Sequence, residues 1–258
     1  MAIATRWQNL SIKNLLTPVV GAALAAWVTT LTSPVQALTF ITERATLAGN
    51  DRIDWSSLGK VFNPFSPNPT DFLPNSFSAM SQKGLGLSVD IPVPSNSQIS
   101  PPFVFLTGIP PRGIPTNFAN GDFILFTGVA SGSFPAVGNP GPLSISFKTP
   151  VLGAGTQIAV DDTENFTAFV SAFDSANNLL GTFSISGTGA EALNNSAVFV
   201  GVRSDIPNIS RLVFSSSQPN RALGINAVSI ATVSEPTAAF AVMLVGVMGA
   251  SFAIKRQV

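Results

Sequence analysis

The chain has 258 residues, 13 basic and 13 acidic, with 20 Phe and 21 Gly but no Cys, His or Tyr. Without Cys there is no disulfide and no lipid-modified N-terminal Cys. Without His, the commonest general base and zinc ligand is missing, and no Ser can be activated by one. The basic residues are scattered singly, which excludes the clustered basic face that nucleic-acid binding needs.

Residues 1–37 read as a signal peptide. Arg6 and Lys13 supply the positive start, the stretch from Leu15 to Val28 is apolar apart from Thr17, and Val35-Gln36-Ala37 places small residues for cleavage after Ala37. The apolar run of about 14 residues is short of the roughly 20 that a retained span requires. Cleavage leaves residues 38–232 as the body, enough chain for one packed core. Setting aside Arg6, Lys13, Lys255 and Arg256 among the cations and Glu235 among the anions leaves 9 basic and 12 acidic residues, a mildly acidic middle.

The body opens with the strand-like Leu38-Thr39-Phe40-Ile41-Thr42, followed by a short stretch holding Asp51, Asp54 and Trp55. Residues 61–120 are punctuated by Pro, from Pro64 to Pro115. Pro lacks an amide donor and breaks helices, so this half is predicted as loops with short or edge strands, at Ser88 to Pro94 and Phe103 to Leu106. From Gly121 the pattern changes. Strands are predicted at Asp122 to Gly128, at Leu143-Ser-Ile145-Ser-Phe147 with its period of two, and at Thr156 to Val160 after a Gly153-Ala-Gly155 turn. Phe166 to Phe173 and Leu179 to Ser186 flank Asp174-Ser-Ala-Asn177-Asn178, a five-residue hairpin loop of turn formers. Ser196 to Val202, Ile209 to Phe214 and Leu223 to Ile230 complete the series. No helical period occurs between the two ends. The expected fold is all-β, an antiparallel β-sandwich of jelly-roll type, flanked by an N-terminal signal helix and a C-terminal transmembrane helix.

Residues 233–258 form the second targeting segment. Val233-Ser234-Glu235-Pro236-Thr237 precedes an uncharged, almost wholly apolar run over 238–254, and Lys255-Arg256 follow. Seventeen helical residues span about 25 Å, enough for a thin bilayer, and the basic pair would hold that end in the cytoplasm. This order of short polar motif, single span and basic cluster resembles the PEP-CTERM sorting domain. That family usually reads Pro-Glu-Pro; here Ser234-Glu235-Pro236 replaces the first Pro with Ser. The resemblance implies export in a Gram-negative bacterium and processing by signal peptidase and by an exosortase-like membrane protease. The protein would be held in the membrane transiently through its C-terminal helix and then released to the cell surface or the matrix. A plain C-terminal anchor is the alternative. The strand series closing on Gly224-Ile-Asn226-Ala-Val-Ser-Ile230 looks like the exported β-sandwich bodies that precede such tails. It is also similar, at fold level, to galactose-binding-like and carbohydrate-module jelly rolls.

Candidate chemistry is sparse. No Gly-x-Ser-x-Gly elbow is present, and Gly84-Leu-Gly86 and Gly153-Ala-Gly155 lack the third Gly of a dinucleotide site. Asp161, Asp162 and Glu164 form the densest acidic cluster. It reads as a solvated turn, as a set of oxygen ligands for calcium, or as a carboxylate pair for glycoside hydrolysis. Asp51, Asp54 and Trp55 read either as a sugar-stacking site or as a capped turn with Trp55 in the core. Three functions follow. The first is a non-enzymatic surface or matrix protein associated with exopolysaccharide and needing no cofactor. The second is a carbohydrate-binding module or adhesin assisted by calcium, and the third a two-carboxylate hydrolase. Neither of the first two needs a nucleic-acid partner.

Overall fold

The computed structural model describes residues 37–132, 135–162 and 165–233. The signal segment up to Gln36, Glu164, the sorting motif Ser234, Glu235, Pro236 and Thr237, and the apolar run 238–254 lie outside the described residues, so the two expected terminal helices are not among the elements below. Ala37, the predicted cleavage residue, is exposed directly before the first strand.

Fourteen strands follow in chain order. They are β1 (Leu38–Ile41), β2 (Asp51–Ile53), β3 (Ser76–Met80), β4 (Gly86–Asp90), β5 (Phe103–Leu106), β6 (Phe123–Phe126) and β7 (Leu143–Val151), then β8 (Gly153–Val160), β9 (Asn165–Phe173), β10 (Leu179–Thr188), β11 (Val198–Ser204), β12 (Ile209–Ser216), β13 (Leu223–Ile225) and β14 (Val228–Ala231). One antiparallel sheet runs β1-β11-β8-β13-β6-β5, with β14 joining β8 to β2; the other runs β10-β9-β12-β7-β4-β3. The central strands β6-β13-β8-β11 facing β7-β12-β9-β10 have the strand order of a jelly roll.

Alternation explains why these segments pair this way. On β7, Leu143, Ile145 and Phe147 are buried while Ser144 and Ser146 face outward; on β9, Phe166, Ala168, Val170 and Ala172 are buried in the same manner. These side chains meet Ile158, Val200, Val202, Ile225 and Ile230 of the opposite sheet in one continuous core. Each such fully buried aliphatic contributes about 1.5–3 kcal/mol relative to exposure. The hairpin between β9 and β10 spans the five predicted residues, with both oxygens of Asp174 accepting from the loop: Oδ1 from the amides of Ala176 and Asn178, Oδ2 from the Asn178 side chain.

The Pro-rich half packs on the sandwich. Phe62 donates its amide to Val104 and Leu73 to Pro102, so this chain segment runs beside β5. Phe62 and Phe72 lie with Phe103 and Phe126 in a second aromatic core, ring centroids 4.8–5.9 Å apart. An edge strand that would otherwise expose unpaired backbone is covered in this way.

One expectation is corrected. Gly153 and Gly155 are not a turn but the first half of β8. A Cβ on Gly155 would stand 2.6 Å from the Gly201 Cα and 2.8 Å from the Phe199 ring. The missing side chains let the segment after β1 lie on the sheet, where Leu47 packs with Ile41 and Phe199.

Candidate functional site

The expected last strand, Leu223 to Ile230, is broken. β13 pairs Ile225 with Ile158 of β8, and β14 pairs Ser229 with Gly155. Three residues, Asn226, Ala227 and Val228, therefore oppose only Thr156 and Gln157. The extra residue makes a bulge, a device that redirects a side chain.

The redirected side chain is Asn226, 4% exposed. Its Oδ1 accepts from Arg44 Nη2 (2.8 Å), the Gln157 amide (3.1 Å) and Thr156 Oγ1 (3.2 Å). Its Nδ2 donates to Asp122 Oδ2 (2.9 Å) and Gln157 Oε1 (2.6 Å). Its own carbonyl accepts from Trp55 Nε1 (2.9 Å). Every polar atom of this side chain is used, so Asn226 is a fixed hub.

Around the hub the surface is polar. Arg44, on the segment after β1, donates to the Ala227 carbonyl and to Ser229 Oγ and lies over the Phe199 ring, 5.1 Å from its centroid. Burial pulls the Arg44 guanidinium below its ordinary value; the Asp122 carboxylate pushes the other way. Gln157 Nε2 donates to Asn195 Oδ1 (2.8 Å) and to the Ala197 carbonyl, tying the loop before β11 to β8. Arg44, Arg52, Asp122, Gln157, Asn195 and Ser229 line a cleft of about 550 Å³ on the outer side of the eight-stranded sheet. Three of the five guanidinium N–H groups of Arg44 are taken by the bonds above, leaving two. Asp122 keeps one carboxylate oxygen and Asn195 its amide NH₂ for a ligand. A larger hollow of about 690 Å³, beside Lys83, Pro150, Pro207 and Val233, has no comparable set of converging donors and acceptors.

Of the residues singled out from the sequence, Asp51 lines this cleft, while Asp54, Trp55, Asp161 and Asp162 do not. Trp55 has no exposed surface, so its ring cannot stack on a sugar; it braces the bulge from beneath. Asp54 caps the 3₁₀ turn Trp55–Leu58 by accepting from the Ser56 amide and pairs with Arg52 at 3.0 Å. Asp51 is buried and accepts from Ser81 Oγ and from the Arg52 and Lys83 amides. The capped-turn alternative describes Asp54 and Trp55, whereas Asp51 ties β2 to the turn between β3 and β4. Asp161 and Asp162 form the turn after β8, where Asp162 Oδ2 accepts from the Ala136 amide (2.9 Å). Burial, reinforced by the Asp162 charge and opposed by Arg221, pushes Asp161 up to about 6. Among the described residues no three acidic side chains group as metal ligands, and Glu164 is not among those residues.

No protein-family model matches the chain, and no curated protein matches it. Among solved structures, a DUF4465 family protein from Bacteroides caccae is similar at a TM-score of 0.35 and 12% identity, over 75% of this chain and 99% of that one.

Arg44 and Asn226 were not singled out from the sequence. The only signal for them was Asn226 as a buried-pattern interruption between Ile225 and Val228, and the partner it requires is 182 residues away.

Proposed function

We propose that the chain is an exported, non-enzymatic surface or matrix protein, sorted by its C-terminal tail, whose jelly-roll body holds a neutral polysaccharide in the cleft around Asn226. The observation that carries this reading is the cleft's balance. Arg44 and Arg52 are matched by Asp51 and Asp122 along the lining, and free donors stand beside free acceptors. A sugar hydroxyl both donates and accepts, and a vicinal pair can bridge a guanidinium and a carboxylate at once. The hub fixes those groups before binding, so little side-chain entropy is lost on contact. The apolar run and basic pair at the C-terminus support the sorting reading, as does the apolar N-terminal run.

Calorimetric titration of the exported protein with the producing cell's exopolysaccharide tests the binding. The Asp122→Asn, Asn195→Ala double variant should weaken it about fivefold or more, the equivalent of two hydrogen bonds at about 0.5–1.5 kcal/mol each. Undiminished affinity in a folded double variant rejects the cleft.

A further inference from the structure

The two ends of the body leave from one pole of the sandwich. Leu38 stands opposite Ser204. The Ser204 amide donates to the Leu152 carbonyl (2.7 Å), and the Leu152 amide to the Ala231 carbonyl (2.8 Å). Three strand spacings of about 4.8 Å therefore separate the start of the body from its finish. Asn50 fixes the finish, accepting from the Thr232 amide (2.9 Å) and donating to the Thr232 carbonyl (3.2 Å).

Apolar side chains are bare at this pole, as Val93 (77% exposed) and Ile109 (72%) are elsewhere on the body. Leu179 is 58% exposed, Ile206 44% and Val233 55%, and Met80, 63% exposed, lies at the adjoining corner. Ile206 sits in the turn between β11 and β12, whose first residue Ile209 pairs with Val151 at the end of β7; Leu179 pairs with Phe173 across the neighbouring hairpin. Exposed Lys83 and Lys148 flank the patch. The opposite pole, with Val93 and Val137, is one β7 length away, about 25 Å.

From Val233 only five residues lead to Ala238, where the uncharged run begins. Fully extended, they reach at most about 18 Å. A body of this length on so short a leash cannot turn its far pole to the membrane. We infer that, before its tail is removed, the protein stands on a lipid bilayer through the pole formed by Leu179, Ile206 and Val233, with the cleft on the flank and open to the exterior. This rests on the tail reading proposed above.

The native chain has no Cys, so single-cysteine variants report one site each. Full-length I206C, L179C, V93C and V137C, each carrying an environment-sensitive fluorophore, would be reconstituted into phosphatidylcholine–phosphatidylglycerol vesicles containing head-group spin-labelled lipid. The full chain should float with the vesicles. Quenching at I206C and L179C should exceed that at V93C and V137C at least ~twofold, given the ~25 Å offset. Equal quenching at both poles, or the reverse order, in floating protein overturns the orientation and leaves the tail reading standing. A chain that does not float removes both.

Discussion

Replacing Asn226 with Ala withdraws a side chain that satisfies groups on Arg44, Asp122, Thr156 and Gln157. The cost differs among them. Thr156 Oγ1 keeps its bond to the Asn226 backbone carbonyl at 2.9 Å and loses little. Arg44 and Asp122 line the cleft and can turn partly to water. The Gln157 amide loses its partner outright, since the bulge has removed its ladder partner on that side. An unmet buried polar group costs about 1–3 kcal/mol, so one bare amide and two partly met charged groups amount to about 3 kcal/mol. Urea unfolding measures this directly, because Trp55 is the only Trp in residues 38–232 and the chain has no Tyr. Asn226→Asp makes a sharper contrast: it keeps the shape but sets an acceptor oxygen against Asp122 Oδ2 and Gln157 Oε1. It should cost more than the Ala variant at neutral pH and recover partly in acid. A loss below about 1 kcal/mol for Asn226→Ala would refute the hub.

Two further outcomes follow from burial. Trp55→Ala should cost about 3–5 kcal/mol in a thermal or urea melt, as expected of a fully buried ring whose Nε1–H also supports the bulge. A variant that melts like wild type but has lost glycan binding would return Trp55 to a stacking role. Asp161 is held above its ordinary 3.8, at about 6, so the fold favours its protonated form. That contribution is present below about pH 4 and lost as pH rises towards 6. Asp161→Asn should therefore gain on the order of 1–2 kcal/mol at pH 7.5, after allowance for partial exposure, and nothing at pH 3.5. Paired Tm–pH profiles check this; a variant no more stable than wild type at pH 7.5 would contradict it.

The sandwich was legible because its signals are local. The Leu143-Ser-Ile145-Ser-Phe147 alternation, and the Asp174–Asn178 loop with its short-range bonds, each carry their structure within a few residues. Gly153-Ala-Gly155 misled because two glycines close together usually mark a turn; here they are empty space for Leu47 and Phe199, which only the packed sheet reveals. β2 and β3 were missed. β2 is three residues long and gains its identity from β14, and β3 lies inside the Pro-rich half as an edge strand paired with β4. The cleft was the least legible part. Arg44 meets Asn226 across 182 positions, and a single bulge residue decides where that Asn points. Asp51, Asp54 and Trp55 were noticed as a group because they are neighbours in sequence, yet they do different work: Asp54 caps the 3₁₀ turn, Trp55 braces the bulge from beneath, and Asp51 lines the cleft.

The most direct test of the cleft is backbone amide NMR of the isotopically labelled body during addition of exopolysaccharide fragments. Shifts concentrated at Asp122, Gln157, Asn195 and Asn226, unchanged by a calcium chelator, are the predicted result. Shifts confined to the outer face of the six-stranded sheet, around Phe169 and Phe173, or no shifts at saturating glycan, would contradict it.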